Sequence, residues 1–233
     1  MPVKSGASFR LTALPMIVVA QLLAAAVFTL TLVWVLHFRE GVTWEMGSIP
    51  QLVYTVKLRT LLNSRGDMFG RDMHNSADLA LTVMAYRIVL GPRAARKAVH
   101  LLLHLLSLGF AAVGLYAAVK FHRDAGLPDI HSLHSWLGIA TIGLYALQWL
   151  VAFVYFVFPG AMMTMRADYA PWHIFFGIVI FLMAVCTAET GLAKYIFPGN
   201  DYPSEAFVIN FLGISIFVFG VTVVLAVILP SRY

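Results

Sequence analysis

Cysteine is almost missing from this sequence: Cys186 stands alone among 233 residues. An internal disulfide and a cysteine-built metal cage are therefore excluded. Charge is scarce as well. Asp, Glu, Lys and Arg make up 12% of the chain and hydrophobic residues 61%, whereas a soluble domain carries about 25% charged residues. The chain is composed for a bilayer as its solvent, and its length suits one membrane domain over residues 1–233. Low-complexity tracts and internal repeats are also missing. The net charge is +5, but no basic face on a soluble fold accompanies it, so nucleic acid is not an expected partner. In a membrane protein such an excess reports topology.

A spanning helix needs about 20 mostly apolar residues. Five stretches meet that standard: 11–36, 98–120, 133–158, 172–196 and 206–229. A sixth, 77–90, is shorter and contains Asp78 and Arg87. The expectation is an all-α membrane protein of six transmembrane helices, the second short and atypical, with both termini on one side. The apolar run Leu11 to Val35 follows Lys4 and Arg10. It outlasts the apolar core of about 7–15 residues in a signal peptide, so it is read as an uncleaved helix.

Charge orients the six segments. The N-terminal side holds Lys4, Arg10, Arg87, Arg93, Arg96, Lys97, Arg166 and Arg232. The other side holds Arg39, Lys57, Arg59, Arg65, Arg71, Lys120, Arg123 and Lys194. Four of this second set fall within the polar stretch 57–71. Without them the balance is eight to four, which makes the N-terminal side cytoplasmic by the excess of Lys and Arg.

Eight histidines remain: 37, 74, 100, 104, 122, 131, 134 and 173. Ionisable groups inside membrane helices are costly and tend to be functional. His100 follows the basic "PRAARK", and His173, in "APWH", opens the fifth segment on the same side. Matched depth on two helices running the same way suits two axial ligands of one haem iron. The alternative is two histidines bonded to backbone or water. His104 lies one turn beyond His100 on the same face. A zinc site is less supported, because no four-ligand cluster of Cys, His and carboxylates is visible.

Several stretches, taken in order, resemble the cytochrome b561 family: "VWVLHFREGVTWE" (33–45), "MAYRIV" (84–89), "KAVHLLLH" (97–104), "SLHSWLG" (132–138), "QWLVAFVYFVFPG" (148–160), "PWH" (171–173) and "SEAFVINFLG" (204–213). The resemblance implies a central four-helix bundle with two b-type haems that passes electrons from ascorbate across a membrane. It implies His100 and His173 as ligands of the cytoplasmic-side haem and His134 as a ligand of the other. The partner of His134 belongs to a family motif like "NLHPVLM". Here that histidine position is Asp67, followed by "MFGRD". The stretch 47–82 departs from the family pattern throughout. His74 is the remaining candidate for this ligand, against the reading of a solvated loop histidine.

The resemblance further implies that Arg93, Arg96, Lys97 and Arg166 hold the anionic donor. As plain charges they also serve as an orientation signal. His122 matches the family's loop histidine on the far side, although the residues around it differ. His104 reads as a core polar residue near the haem, able to compete as ligand if His100 were lost. His37 reads as an interface residue. Met162, Met163 and Met165 are expected in the loop before the fifth segment, where copper binding is a weaker idea.

The leading expectation is one-electron transfer from cytoplasmic ascorbate through haem b to monodehydroascorbate or a ferric chelate. That activity is an ascorbate-dependent transmembrane oxidoreductase, provided both haem sites form. No nucleophile or general base is needed. The first alternative is a one-haem variant that cannot conduct across the membrane and acts in binding or regulation. The second is a transporter or structural membrane protein. Lipid is a partner in every case, and the resemblance adds a homodimer and an endomembrane (vacuolar type) or plasma-membrane location.

Overall fold

A computed structural model describes residues 13–38, 91–124, 126, 128, 130–196 and 203–230. Five long helices account for nearly all of them. Helix α1 spans Ala13–Val33 and continues into a π-helical turn, Trp34–Phe38. Helix α2 spans Arg93–Asp124, α3 Leu133–Phe156, α4 Met163–Ile196 and α5 Pro203–Ile228. Each is long and apolar enough to cross a membrane. With Leu102, Leu105, Leu106, Phe110 and Val113 of α2 and comparable side chains of the other helices pointing outward, the molecule is a multi-pass membrane helical bundle. The expected segment at 77–90 lies outside the described residues.

The helices pack in the order α1, α5, α4, α3, α2. Lipid tails are as apolar as leucine, so close packing, not water exclusion, holds such helices together. The sequence supplies small or regularly spaced residues for that purpose. On α1, Ala13, Ala20, Val27 and Trp34 recur every seven residues and all are buried. On α5, Ile209, Leu212, Ile216, Phe219, Val223 and Ala226 alternate in steps of three and four and are buried too. That is the heptad seam of two helices crossing at a shallow angle. Phe181, Ala184, Val185, Ala188 and Leu192 carry the core onto α4. A Cβ on Gly220 would meet Val185 Cγ2 at 3.3 Å, so glycine there lets α5 approach α4.

Two sets of contacts fix the ends. The Ala13 amide donates to the Pro230 carbonyl at 3.3 Å, and Lys97 Nζ donates to the Phe156 carbonyl. The starts of α1, α2 and α4 and the ends of α3 and α5 therefore share one end, called here the basic end. At the opposite end Trp34 Nε1 donates to Glu205 Oε1 at 2.9 Å, across 171 positions of sequence. The described ends flanking the 39–90 stretch, Phe38 and Gly91, thus lie at opposite ends of the bundle.

Helix α5 starts at Pro203, three residues before the expected 206, and two helix starts differ by more. Helix α2 begins at Arg93, not 98, because Arg, Ala and Lys are strong helix formers and Pro92 precedes the first turn. Helix α4 begins at Met163, not 172, and carries Pro171 inside it. Met163, Met165 and Arg166 are therefore helical, not in a loop, and His173 stands ten residues into the helix instead of opening it. An apolar run marks only the part of a helix that needs lipid; its watery turns are polar and escape that criterion. Helix α3 stops at Phe156, two residues earlier than expected. The Phe158–Pro159 peptide is cis and Gly160 has φ 81°, a left-handed conformation suited to glycine.

Candidate functional site

His100 projects from α2 and His173 from α4, both half-buried. Their ring centres lie 6.3 Å apart with planes at 81°. This spacing can be tested against haem ligation. A metal–imidazole bond of about 2 Å, plus about 1 Å from the ligating nitrogen to the ring centre, places two opposed rings about 6 Å apart. The observed separation fits two axial imidazoles on one iron. The helices thus bring together the two histidines that matched depth had paired.

Gln148 of α3 backs His173. Its Nε2 donates to the His173 carbonyl at 2.8 Å and lies 3.0 Å from Nδ1. A histidine that gives Nε2 to a metal carries its proton on Nδ1. Ligation therefore requires the amide to present Oε1 to that proton. The amide can do so by turning about its last side-chain bond, which exchanges its bond to the His173 carbonyl for one to the ring.

His104 lies one turn further along α2, its ring centre 4.3 Å from that of His100. Its Nδ1 stands 2.7 Å from Tyr145 Oη, and the same hydroxyl donates to the His104 carbonyl at 3.0 Å. The sequence marked His104 as a core polar residue; it gave no sign of Tyr145 from α3.

The opposite end has a different arrangement. Ser132 caps α3, its Oγ accepting from the Ser135 amide at 3.3 Å, and this starts the helix one residue before His134. His134 Nδ1 lies 2.9 Å from the Thr187 carbonyl of α4. A carbonyl only accepts, so Nδ1 bears a proton, and in the neutral ring the lone pair is then on Nε2. That is the tautomer a metal ligand needs. Thr187 follows His173 by fourteen residues on α4, about 21 Å of rise. His134 is therefore at a second level, well separated from the His100–His173 pair. His74, its candidate partner, lies outside the described residues. Among the described residues, no group of three or more His, Cys, Asp or Glu is placed to hold a metal ion.

The basic end carries the four expected cations. Arg93 is exposed and Arg96 and Lys97 are half-buried in the first turns of α2. Lys97 is engaged with Phe156, so it joins α2 to α3 as well as contributing charge. Arg166 folds back over the preceding turn, its Nε donating to the Ala161 carbonyl at 2.6 Å. A Cβ on Gly160 would fall 2.5 Å from Arg166 Nη2, so this glycine makes room for the guanidinium. Between these cations and His173 stand aromatic rings that sequence reading missed. Tyr169 lies 4.5 Å from Tyr155 and 6.1 Å from His173, and Phe156 lies 5.6 Å from His173. Tyr169 is four residues before His173, a helical spacing that could have flagged it.

His122, in the last turn of α2, has its ring centre 6.1 Å from His131. His131 Nδ1 is 2.8 Å from the Pro128 carbonyl. Lys120 and Asp124 form an exposed ion pair at 3.2 Å nearby. The far-side loop thus pairs His122 with His131, a contact that the sequence did not suggest. His37 is exposed beside Phe38, with ring centres 4.7 Å apart.

Comparison with known proteins gives a consistent result. The family described as eukaryotic cytochrome b561 matches residues 79–198. A probable ascorbate-specific transmembrane electron transporter 1 from Oryza sativa subsp. japonica is 39% identical, over 94% of this chain and 92% of its own. Transmembrane ascorbate ferrireductase 2 from Arabidopsis thaliana is 33% identical over 93% and 92%. Transmembrane ascorbate-dependent reductase CYB561 from Sus scrofa is 35% identical over 88% and 78%. A bundle that pairs His100 with His173 beneath a basic end, together with these relatives, leads to one conclusion: the chain belongs to the eukaryotic cytochrome b561 family.

Proposed function

We propose that this protein carries single electrons from ascorbate at the basic end to an acceptor at the opposite end, monodehydroascorbate or a ferric chelate. The observation that carries this reading is the His100–His173 pair, spaced as two ligands of one iron would be, in the half of the bundle that bears the four cations. Haem b, when bound, supplies the reversible one-electron couple. The chain's own residues do the rest. His100 and His173 would hold one group, and His134, its Nδ1 turned to the Thr187 carbonyl, would hold a second about 21 Å further along the bundle. Arg93, Arg96, Lys97 and Arg166 attract the ascorbate anion and hydrogen-bond its oxygens. The wall of Tyr155, Phe156 and Tyr169 keeps bulk water from His173. His122 and His131 face the acceptor side. The ascorbate anion loses one electron and one proton, becoming monodehydroascorbate; the proton leaves to water.

Four cations at one end favour a cytoplasmic orientation for it, in an endomembrane of the vacuolar type or the plasma membrane. Homodimerisation is part of the same reading by family likeness. Asp67 at the family's histidine position supports a second reading. In it the protein holds one haem, at His100 and His173, and does not conduct across the membrane.

The test uses purified protein in sealed vesicles with ascorbate inside and a ferric chelate outside. Two haems per chain with ferrous iron appearing outside support conduction. One ascorbate-reducible haem with no ferrous iron outside supports the second reading. His173→Ala is expected to remove the inner haem; an unchanged haem spectrum would exclude the axial pair.

A further inference from the structure

We propose that Tyr145 and His104 set the ring plane of His100, and so hold the two axial imidazoles of the basic-end site perpendicular. The proposal rests on the reading of His100 and His173 as an axial pair. It assigns a task to two residues that this reading leaves without one.

Tyr145 is buried, 7% exposed, in an apolar bundle. A hydroxyl there needs partners, and it finds two in one residue of the neighbouring helix. The hydroxyl has a single proton. That proton goes to the His104 carbonyl, which can only accept. His104 Nδ1, 2.7 Å from the same oxygen, must then be the donor. One hydroxyl thus pins the imidazole of His104 at its nitrogen and the backbone of α2 at its carbonyl. Rotation of the His104 ring would break the first bond.

The pinned ring stands against His100. The two ring centres are 4.3 Å apart with planes at 78°, closer than the roughly 4.5–7 Å of ordinary aromatic pairs. An imidazole bound to a metal keeps one freedom, rotation about the metal–nitrogen bond. To become coplanar with His173, His100 would have to turn through about the 81° that now separates them. With His104 fixed beside it, the contact between the two rings resists that turn. His104 is in this sense a positioning residue that acts through His100, and Tyr145 acts through His104.

The ring angle has a spectroscopic consequence. Two perpendicular imidazoles interact with different iron d orbitals and leave them close in energy. Parallel imidazoles split them. Low-spin ferric haem therefore gives one broad feature at large g in the first case and a three-line rhombic spectrum in the second. A bond that merely joined α2 to α3 would leave this signature alone.

The experiment is electron paramagnetic resonance of the oxidised, haem-loaded protein, comparing wild type with Tyr145→Phe and His104→Gln. Tyr145→Phe keeps the ring and loses both hydrogen bonds; His104→Gln removes the abutting ring and keeps a group that can reach Tyr145. The expected result is a large-g feature in wild type that shifts toward a rhombic spectrum in both variants at unchanged haem content. Should one variant fail to fold, the other decides. Any signal from a haem held by His134 is recognised by its loss in His134→Ala. If the large-g feature survives in a folded variant, the proposal fails while the axial pair stands. A rhombic wild-type spectrum likewise refutes the perpendicular arrangement. If His173→Ala retains the wild-type low-spin signals in full, the axial pair itself is wrong and the proposal falls with it.

Discussion

Trp34 donates its indole proton to Glu205 at 2.9 Å, joining the π-helical turn after α1 to the first turn of α5. Both side chains are buried. Neither local pattern announces the bond, yet it fixes where the ends of the two helices meet. Trp34→Phe keeps an aromatic ring and removes the donor. The expected loss is about 1–2 kcal/mol of stability, while Glu205→Gln, which keeps an acceptor, changes little. Thermal unfolding in detergent measures both. Equal stability of Trp34→Phe and wild type would show that the bond contributes nothing.

What the sequence reveals about this fold depends on range. The five apolar stretches locate five helices, because lipid demands a continuous apolar run and a run is a local property. His100 and His173 pair on paper because each stands just inside the start of an apolar run on the same side. Tyr145 stays hidden, since its role depends on the rotation of α3 against α2. The beginning of α4 is hidden for another reason: "MTMRADYAP" is polar and contains proline, so no hydropathy criterion reaches it. His134 came from family likeness, but its tautomer needed the Thr187 carbonyl, 53 positions away.

The contact of Gly220 with Val185 makes a second prediction. A larger residue at 220 must push α5 away from α4, since its Cβ alone would meet Val185 Cγ2 at 3.3 Å. Gly220→Val is expected to destabilise the bundle by about 1–3 kcal/mol, the usual range for overpacking. Val185→Ala in the same chain should restore part of this loss. A double variant no better than the single one would mean that the strain lies elsewhere.

Gln148 Nε2 bonds the His173 carbonyl and lies 3.0 Å from its ring Nδ1; turned, the amide accepts from the Nδ1 proton instead. Partners of this kind hold a ligand's tautomer, and losing one costs about 10–100-fold in metal affinity or activity. Gln148→Leu should therefore release haem faster on dilution into apomyoglobin, with helix content unchanged. Equal release rates would assign the amide to helix packing alone.

Arg166 tests the charge argument. Its guanidinium reaches back over Gly160 and its Nε binds the Ala161 carbonyl, so it lies at the rim and does not ligate haem. Arg166→Ala removes one positive charge and one set of hydrogen bonds for an anion, about 1.5–3 kcal/mol for a bond to a charged group before solvent screening. The expected outcome is a rise of roughly tenfold in the KM for ascorbate at low salt, with haem content unchanged. Added salt should narrow the gap, because screening weakens the attraction that wild type still exercises. Arg166→Lys keeps the charge on a more flexible stem without the planar fork, so it should recover the salt dependence but only part of the affinity. Stopped-flow reduction of the purified protein reads all three. A KM that is unmoved in Arg166→Ala at low salt would remove this residue from the donor site and leave the binding of ascorbate to the first turns of α2.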